Sequence, residues 1–204
     1  PGDDPDSNNG GSSPGAGTGN DPSNGTIGTP DAVDLGNGVH ILTHTKDALR
    51  IEVMPPASEF TTSTWNGSYE TVAIPGYSST IVAGEPELLY RNILIEVDSQ
   101  KTNAVLIEEI TGDFSTSNHT IAPAPDWVDN GSGGLMPSWA IDTDAYANAS
   151  YDPSVFYEVE SALKTIGNKK FLSVKVYPIN YKASTSDLNE LTKLVLDIGL
   201  DGYD

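Results

Sequence analysis

From Val39 onward the apolar residues of this chain fall on alternate positions. Val39 and Ile41, then Leu49, Ile51 and Val53, are separated by polar neighbours such as Arg50 and Glu52. Ile93, Ile95 and Val97 repeat the pattern, as do Leu172, Val174 and Val176 around Ser173 and Lys175, and finally Leu194, Leu196 and Ile198. A period of two sends successive side chains to opposite faces of a strand, so each segment predicts a strand with one face buried and one face wet. Several such strands, punctuated by Gly, Pro and Asn, predict an all-β fold: an antiparallel β-sandwich, jelly-roll-like, spanning residues 39–204.

Three stretches depart from the pattern. Phe171 to Tyr181 reads as one strand with Pro178 inside it, answered by a second strand from Leu191 to Leu200. Proline lacks a ladder donor and is confined to edges and bulges, which makes the segment distinctive. Ser154 to Ile166 carries a hint of helix, with Val155, Val159 and Ala162 at spacings of four and three behind Pro153, although Phe156 and Tyr157 suit a strand equally. Ser115 to Ser150 is the longest region with no convincing strand. It contains Pro123, Pro125, Pro137 and the run Gly131-Ser132-Gly133-Gly134, and predicts a long functional loop.

Residues 1–38 are mostly Gly, Ser, Asn, Pro and Asp, with no Lys or Arg before Lys46. Such a segment buries too little apolar surface to offset chain entropy and is expected to be a disordered, flexible linker. Asp3, Asp4 and Asp6 resemble a fragment of a calcium loop, but the required glycine and distal glutamate are out of register. An acidic spacer of this kind is expected between a domain and a cleaved signal or an upstream lipid anchor. That places the chain outside the cell or at its envelope.

At 204 residues, 37% of them hydrophobic, the chain suits one sandwich-sized core plus the spacer. A net charge of -19 argues against a nucleic-acid partner and against anionic membranes, both of which need clustered cations. There is no run of eighteen apolar residues, so membrane insertion is not expected. The absence of Cys excludes disulfides, thiolate metal sites and a cysteine nucleophile within these residues.

Candidate chemistry is sparse, and neither a catalytic residue, a metal site nor a cofactor is expected. His40 and His44 lie in or beside a strand, where a spacing of four separates them along one face, and Ile41 stands where a zinc-peptidase motif needs Glu. His119 has no nucleophile elbow to serve. The carboxylates Asp126 with Asp129, and Asp142 with Asp144, would need to face one another across a cleft to hydrolyse a glycosidic bond. Trp65, Trp127 and Trp139 are either packing residues or a sugar-stacking platform. The platform would make the chain a non-catalytic surface module that binds glycan or matrix.

Four segments, in order, resemble the pro-domain of gingipain-type cysteine peptidases: Gly84-Glu85-Pro86-Glu87-Leu88, Ile121-Ala122-Pro123, Tyr151-Asp152-Pro153 and Val176-Tyr-Pro-Ile-Asn-Tyr181. Leu89 replaces a second proline in the first, and Lys182-Ala183 replaces Asn-Pro after the last. The resemblance implies an antiparallel sandwich that helps a downstream peptidase domain fold, in cis, and keeps it latent. It also implies that the 115–150 loop covers the catalytic cleft and delivers something near Asn130 to the specificity pocket.

In that family the delivered group is basic. Here there is no Lys or Arg between Lys101 and Lys164. Either the cognate enzyme accepts a neutral or apolar group, with Asn130, Leu135 or Met136 as candidates and Trp127 and Asp129 beside them, or the loop acts by steric cover alone. Desolvation favours the first: a neutral or acidic group in a pocket built around a buried acid would leave charge unpaired, at a cost of about 2 to 5 kcal/mol.

Overall fold

The computed structural model describes residues 32–201. Most of the expected linker, with Asp3, Asp4 and Asp6, therefore lies outside the described residues. In chain order the first strands are β1 (Val33–Asp34), β2 (Val39–His44), β3 (Ala48–Val53), β4 (Glu59–Thr62), β5 (Glu70–Ala73), β6 (Ser78–Ser79), β7 (Leu89–Val97) and β8 (Ala104–Asn118). Then come β9 (Asp126–Asp129), β10 (Leu135–Ser138), the single turn α1 (Thr143–Tyr146), β11 (Tyr157–Val159), β12 (Lys164–Ile166), β13 (Lys169–Val176), β14 (Ile179–Lys182) and β15 (Asp187–Leu200).

Two antiparallel sheets stack as the predicted sandwich. In the first, β15 is the spine. Its first half pairs with β14 and its second half with β3 along one edge, while β8 runs the length of the other edge; β2 and β1 follow outside β3. In the second, β13 pairs with β7 on one side and with β11 and β12, end to end, on the other; β6 adds to β7. Leu49, Ile51, Val53, Leu194, Leu196 and Ile198 from the first sheet meet Ile93, Ile95, Leu172, Val174 and Val176 from the second in one buried cluster. Each such side chain contributes about 1.5 to 3 kcal/mol on burial. A second, smaller cluster of Ile74, Leu88, Leu89, Ile121, Ile179, Tyr181 and Leu188 fills one end.

Four expectations change. Phe171 to Tyr181 is two strands in different sheets: β13 ends at Val176 in the second, and β14 starts at Ile179 in the first. Tyr177-Pro178 is the crossing, where proline's missing donor is not needed, and the Pro178 carbonyl accepts from Leu191 N at 2.8 Å. Ser154 to Ile166 contains no helix. The exposed edge of β13 offers ladder partners to Tyr157–Val159 and Lys164–Ile166, and a short helix with a costly nucleus does not compete. Within 32–38, Val33 pairs with Ile41, and the Arg91 guanidinium of β7 donates to the carbonyls of Leu35, Gly36 and Asn37, so residues expected as spacer join the sandwich. Ser115 to Ser150 is not one loop: β8 continues to Asn118, and the middle of the segment is the hairpin β9–β10.

Candidate functional site

The hairpin β9–β10 grows from a junction of segments that are far apart in the sequence. Glu87 N donates to Ala122 O at 2.9 Å and Ala124 N to Glu85 O at 2.8 Å, so Gly84–Leu88 and Ile121–Ala124 run side by side. Gly84 then holds both legs of the hairpin: its N–H donates to Ala124 O at 3.0 Å before β9, and its carbonyl accepts from Asp142 N at 2.9 Å after β10. Its φ is +87°, and a Cβ there would sit 3.2 Å from Asp142 N, so both conformation and space call for glycine.

Beneath this junction, Ile121, Ala122 and Ala124 are buried. The Ile121 N–H donates to the Tyr181 hydroxyl at 3.3 Å, and the Ile121 carbonyl accepts from the Tyr146 hydroxyl at 2.7 Å. Burial, with Tyr181 and Tyr69 nearby, pushes the Tyr146 hydroxyl well above its ordinary pKa, which keeps it a neutral donor. Tyr181 in turn bridges to Asp152 through the backbone. The four segments that carry the sequence resemblance thus converge on one small core.

Above the junction the hairpin stands clear. Its register pairs Asp126 with Ser138, Trp127 with Pro137, Val128 with Met136 and Asp129 with Leu135, and β9 and β10 form a ladder only with each other. Alternation places Trp127, Asp129, Leu135 and Pro137 on one face and Asp126, Val128, Met136 and Ser138 on the other. Trp127 is 59% exposed, Leu135 67% and Met136 49%. A two-stranded hairpin is marginal alone, and large apolar groups on both of its faces mark a surface made to be covered.

The five residues singled out in the sequence all lie on this arm, with different geometry. Asn130 does not project: its side-chain oxygen accepts from Ser132 N at 2.9 Å and Gly134 N at 3.2 Å, so the amide closes the turn. Asp129 accepts from Gly131 N at 2.8 Å and does similar work. Gly131 and Gly133 have φ of +77° and +80°, as the tight tip requires. Trp127, Leu135 and Met136 are left as the presented groups.

The other candidates have structural partners. His119 stacks on Phe60 with centroids 3.7 Å apart, and its Nδ1 lies 2.8 Å from Glu70 Oε2. His40 Nδ1 is 3.7 Å from Asp34, and His44 is exposed at the end of β2. Among the described residues no three His, Cys, Asp or Glu side chains gather in a way that could hold a metal ion. Asp126 and Asp129 are on opposite faces of the arm, and Asp142 caps α1 by accepting from Asp144 N and Ala145 N, so neither acidic pair faces across a cleft. Trp65 packs beside Tyr69, 5.3 Å between centroids, while Trp127 rides on the arm. Absent from the sequence expectations is Ile81, 88% exposed, with Val82 beside it at 53%. Its signal was an apolar pair without alternation, set directly before Ala83-Gly84.

No protein-family model matches the chain, and no curated protein matches it in sequence. Solved structures do match in shape. A chain in the complex of Porphyromonas gingivalis RgpB pro- and mature domains superposes with a TM-score of 0.66 at 14% identity, covering 81% of this chain and 84% of that one. A chain in a structure concerned with the zymogenic latency of gingipain K from the same organism gives a TM-score of 0.62 at 15% identity, covering 78% of this chain and 89% of that one. The sandwich of this chain therefore has the fold of the gingipain pro-domain structures.

Proposed function

We propose that this domain is the pro-domain of a gingipain-type cysteine peptidase, joined to it in cis, and that the arm Asp126–Ser138 lies over the peptidase's active-site cleft and keeps it latent. The observation that carries the proposal is the arm: a hairpin hung from a single glycine, with Trp127, Leu135 and Met136 exposed and no ladder to the sandwich. The fold shared with chains from the RgpB pro- and mature-domain complex supports the partner. The domain acts by binding, with no chemistry of its own. The sandwich has its own core and serves as a template on which the peptidase folds.

Leu135 and Met136 are the residues offered to the enzyme, with Trp127 packing beside them, because Asn130 is committed to the turn. The arm carries carboxylates at Asp126 and Asp129 and no cation. An acid-lined pocket would meet it with unpaired charge, so the partner cleaves after neutral or apolar residues. The arm alone is small; a stable complex needs about 800 Å² from each partner, so the sandwich contributes surface as well. A secreted or envelope location follows from the same assignment.

The test adds the full chain in trans to a panel of gingipain-type catalytic domains and follows hydrolysis of peptide substrates. Tight inhibition of at least one, abolished when Trp127–Pro137 is replaced by a short Gly-Ser bridge, is the expected result. A chain that leaves every activity unchanged overturns the proposal.

A further inference from the structure

We propose that the peptidase-facing surface extends beyond the arm to a ridge at Ile81 and Val82, which seats in an apolar recess of the peptidase domain rimmed by Lys and Arg. This rests on the pro-domain assignment and names a second contact within it.

The ridge is held out, not left loose. Thr80 N donates to Leu88 O at 2.7 Å, Leu88 N to the Thr80 hydroxyl at 3.0 Å, and Glu85 N to Val82 O at 3.2 Å, so the loop from Thr80 to Leu88 is closed at its base and its tip is pinned. Ile81 is the most exposed of the large hydrophobic residues among those described, at 88%. A pinned, fully presented isoleucine is pre-organised for a partner, because little entropy remains to be lost when it is covered.

The ridge lies between two grooves. One, of about 340 Å³, is bounded by Val82, Pro86, Pro153, Val155 and Tyr177. The other, of about 310 Å³, runs along Ala83, Gly84 and Ile141 to Asp126 and Ser138, the feet of the arm itself. Val82 lines the first groove and Ala83, next to it, lines the second, which reaches the feet of the arm, so one partner lying along both grooves would touch arm and ridge together.

Charge states what that occupant carries. Glu85, Asp152 and Glu158 line the first groove, and Asp126 and Asp142 the second. Lys175 is the sole cation lining either groove, and its ammonium is already placed over the rings of Tyr90 and Tyr177, at 4.8 and 4.7 Å. An apolar ridge in an acidic setting selects a basic rim around an apolar recess, and it steers association electrostatically. A second copy of this chain, with its net charge of -19, would bring carboxylates against carboxylates.

The test measures dissociation constants for a catalytic domain that the full chain inhibits, using the full chain, the double variant I81D/V82D and Glu85→Lys, each with its arm intact. The double variant is expected to weaken binding at least tenfold while circular dichroism and thermal midpoint stay unchanged, since neither residue is buried. Glu85→Lys is expected to slow association and flatten its dependence on salt. Binding within twofold of the parent chain for both variants overturns the ridge and leaves the pro-domain assignment standing. Failure of the parent chain to inhibit any catalytic domain removes both.

Discussion

Asp152 and Tyr181 exchange two backbone hydrogen bonds, each 2.9 Å long, and so tie the segment after the arm to the strand that follows the sheet crossing. Tyr181 is 2% exposed, and its hydroxyl also holds the Ile121 N–H. Removing that hydroxyl leaves a buried donor unpaired. Tyr181→Phe should therefore cost about 1 to 3 kcal/mol, and Tyr181→Ala, which adds a cavity, about 3 to 5 kcal/mol. Asp152→Ala should cost little, because its ladder bonds are main-chain bonds. Urea denaturation of the three variants checks the order. A Tyr181→Phe variant as stable as the parent would show that the hydroxyl bond contributes nothing.

Gly84 makes a different prediction, local to the arm. At φ of +87°, with Asp142 N 3.2 Å from the position of a Cβ, any larger residue must move one leg of the hairpin. Gly84→Val should destabilise by roughly 1 to 3 kcal/mol, through strain at a left-handed position. It should also speed limited proteolysis within Asn130–Gly134, where the exposed, glycine-rich tip is the natural first cut. Mass spectrometry of early fragments reads the site. Unchanged cleavage kinetics would mean that the legs are held by something other than Gly84.

How far the sequence revealed this molecule depended on whether a strand keeps strict alternation. Ile93, Ile95 and Val97 against Leu172, Val174 and Val176 do so, and they pair in the ladder of β7 and β13. β8 was not visible as a strand because its register shifts against β15 three times, carrying Ile107 and Ile110 out of phase. The segment Ser154 to Ile166 misled because Val155, Val159 and Ala162 fall at spacings of four and three by chance: only Val159 lies in a strand, and both Tyr157–Val159 and Lys164–Ile166 pair with β13, which begins three residues after Ile166. The arm carried a usable signal in Asn130-Gly131, a hairpin dipeptide, but Pro137 beside it suppressed the strand pattern. That Asn130 turns inward is a property of hydrogen-bond geometry, which composition does not encode.

Acid stability should depend on Asp197. Arg50 Nε and Nη2 each lie 2.6 Å from a different oxygen of its carboxylate, and that pairing holds the Asp197 pKa below its ordinary value. A carboxylate whose folded pKa is depressed stabilises the fold above its unfolded value, and that stability is lost as pH falls through the lower, folded value. Asp197→Asn should therefore cost a constant amount from pH 5 to 8, about 0.5 to 1 kcal/mol because both side chains are partly exposed. The difference from the parent chain should begin to shrink below about pH 4, where the unfolded carboxyl is protonated, and close once the pH has fallen below the lower, folded value. Denaturation midpoints across pH provide the check. A gap that persists at pH 2 would mean that the substitution acts through packing, not charge.

The lack of cations from residue 102 to 163 leads to a prediction about specificity that can be run in both directions. Leu135 is 67% exposed near the tip of the arm, opposite Asp129. If it fills an apolar pocket, Leu135→Asp loses the transfer energy of that side chain, about 1.5 to 3 kcal/mol, which is roughly one to two orders of magnitude in affinity. Leu135 lies outside the core, so stability should fall by no more than the repulsion from Asp129 opposite it, about 0.2 to 1 kcal/mol. Leu135→Arg should lose the parent's inhibition and gain at least tenfold against peptidases that cleave after Arg, since the guanidinium would now meet an acid in the pocket. Inhibition constants against an Arg-cleaving and an apolar-cleaving gingipain-type enzyme decide the matter. A parent chain that already inhibits the Arg-cleaving enzyme tightly, or a Leu135→Arg variant with no change of preference, would place the specificity contact elsewhere than Leu135.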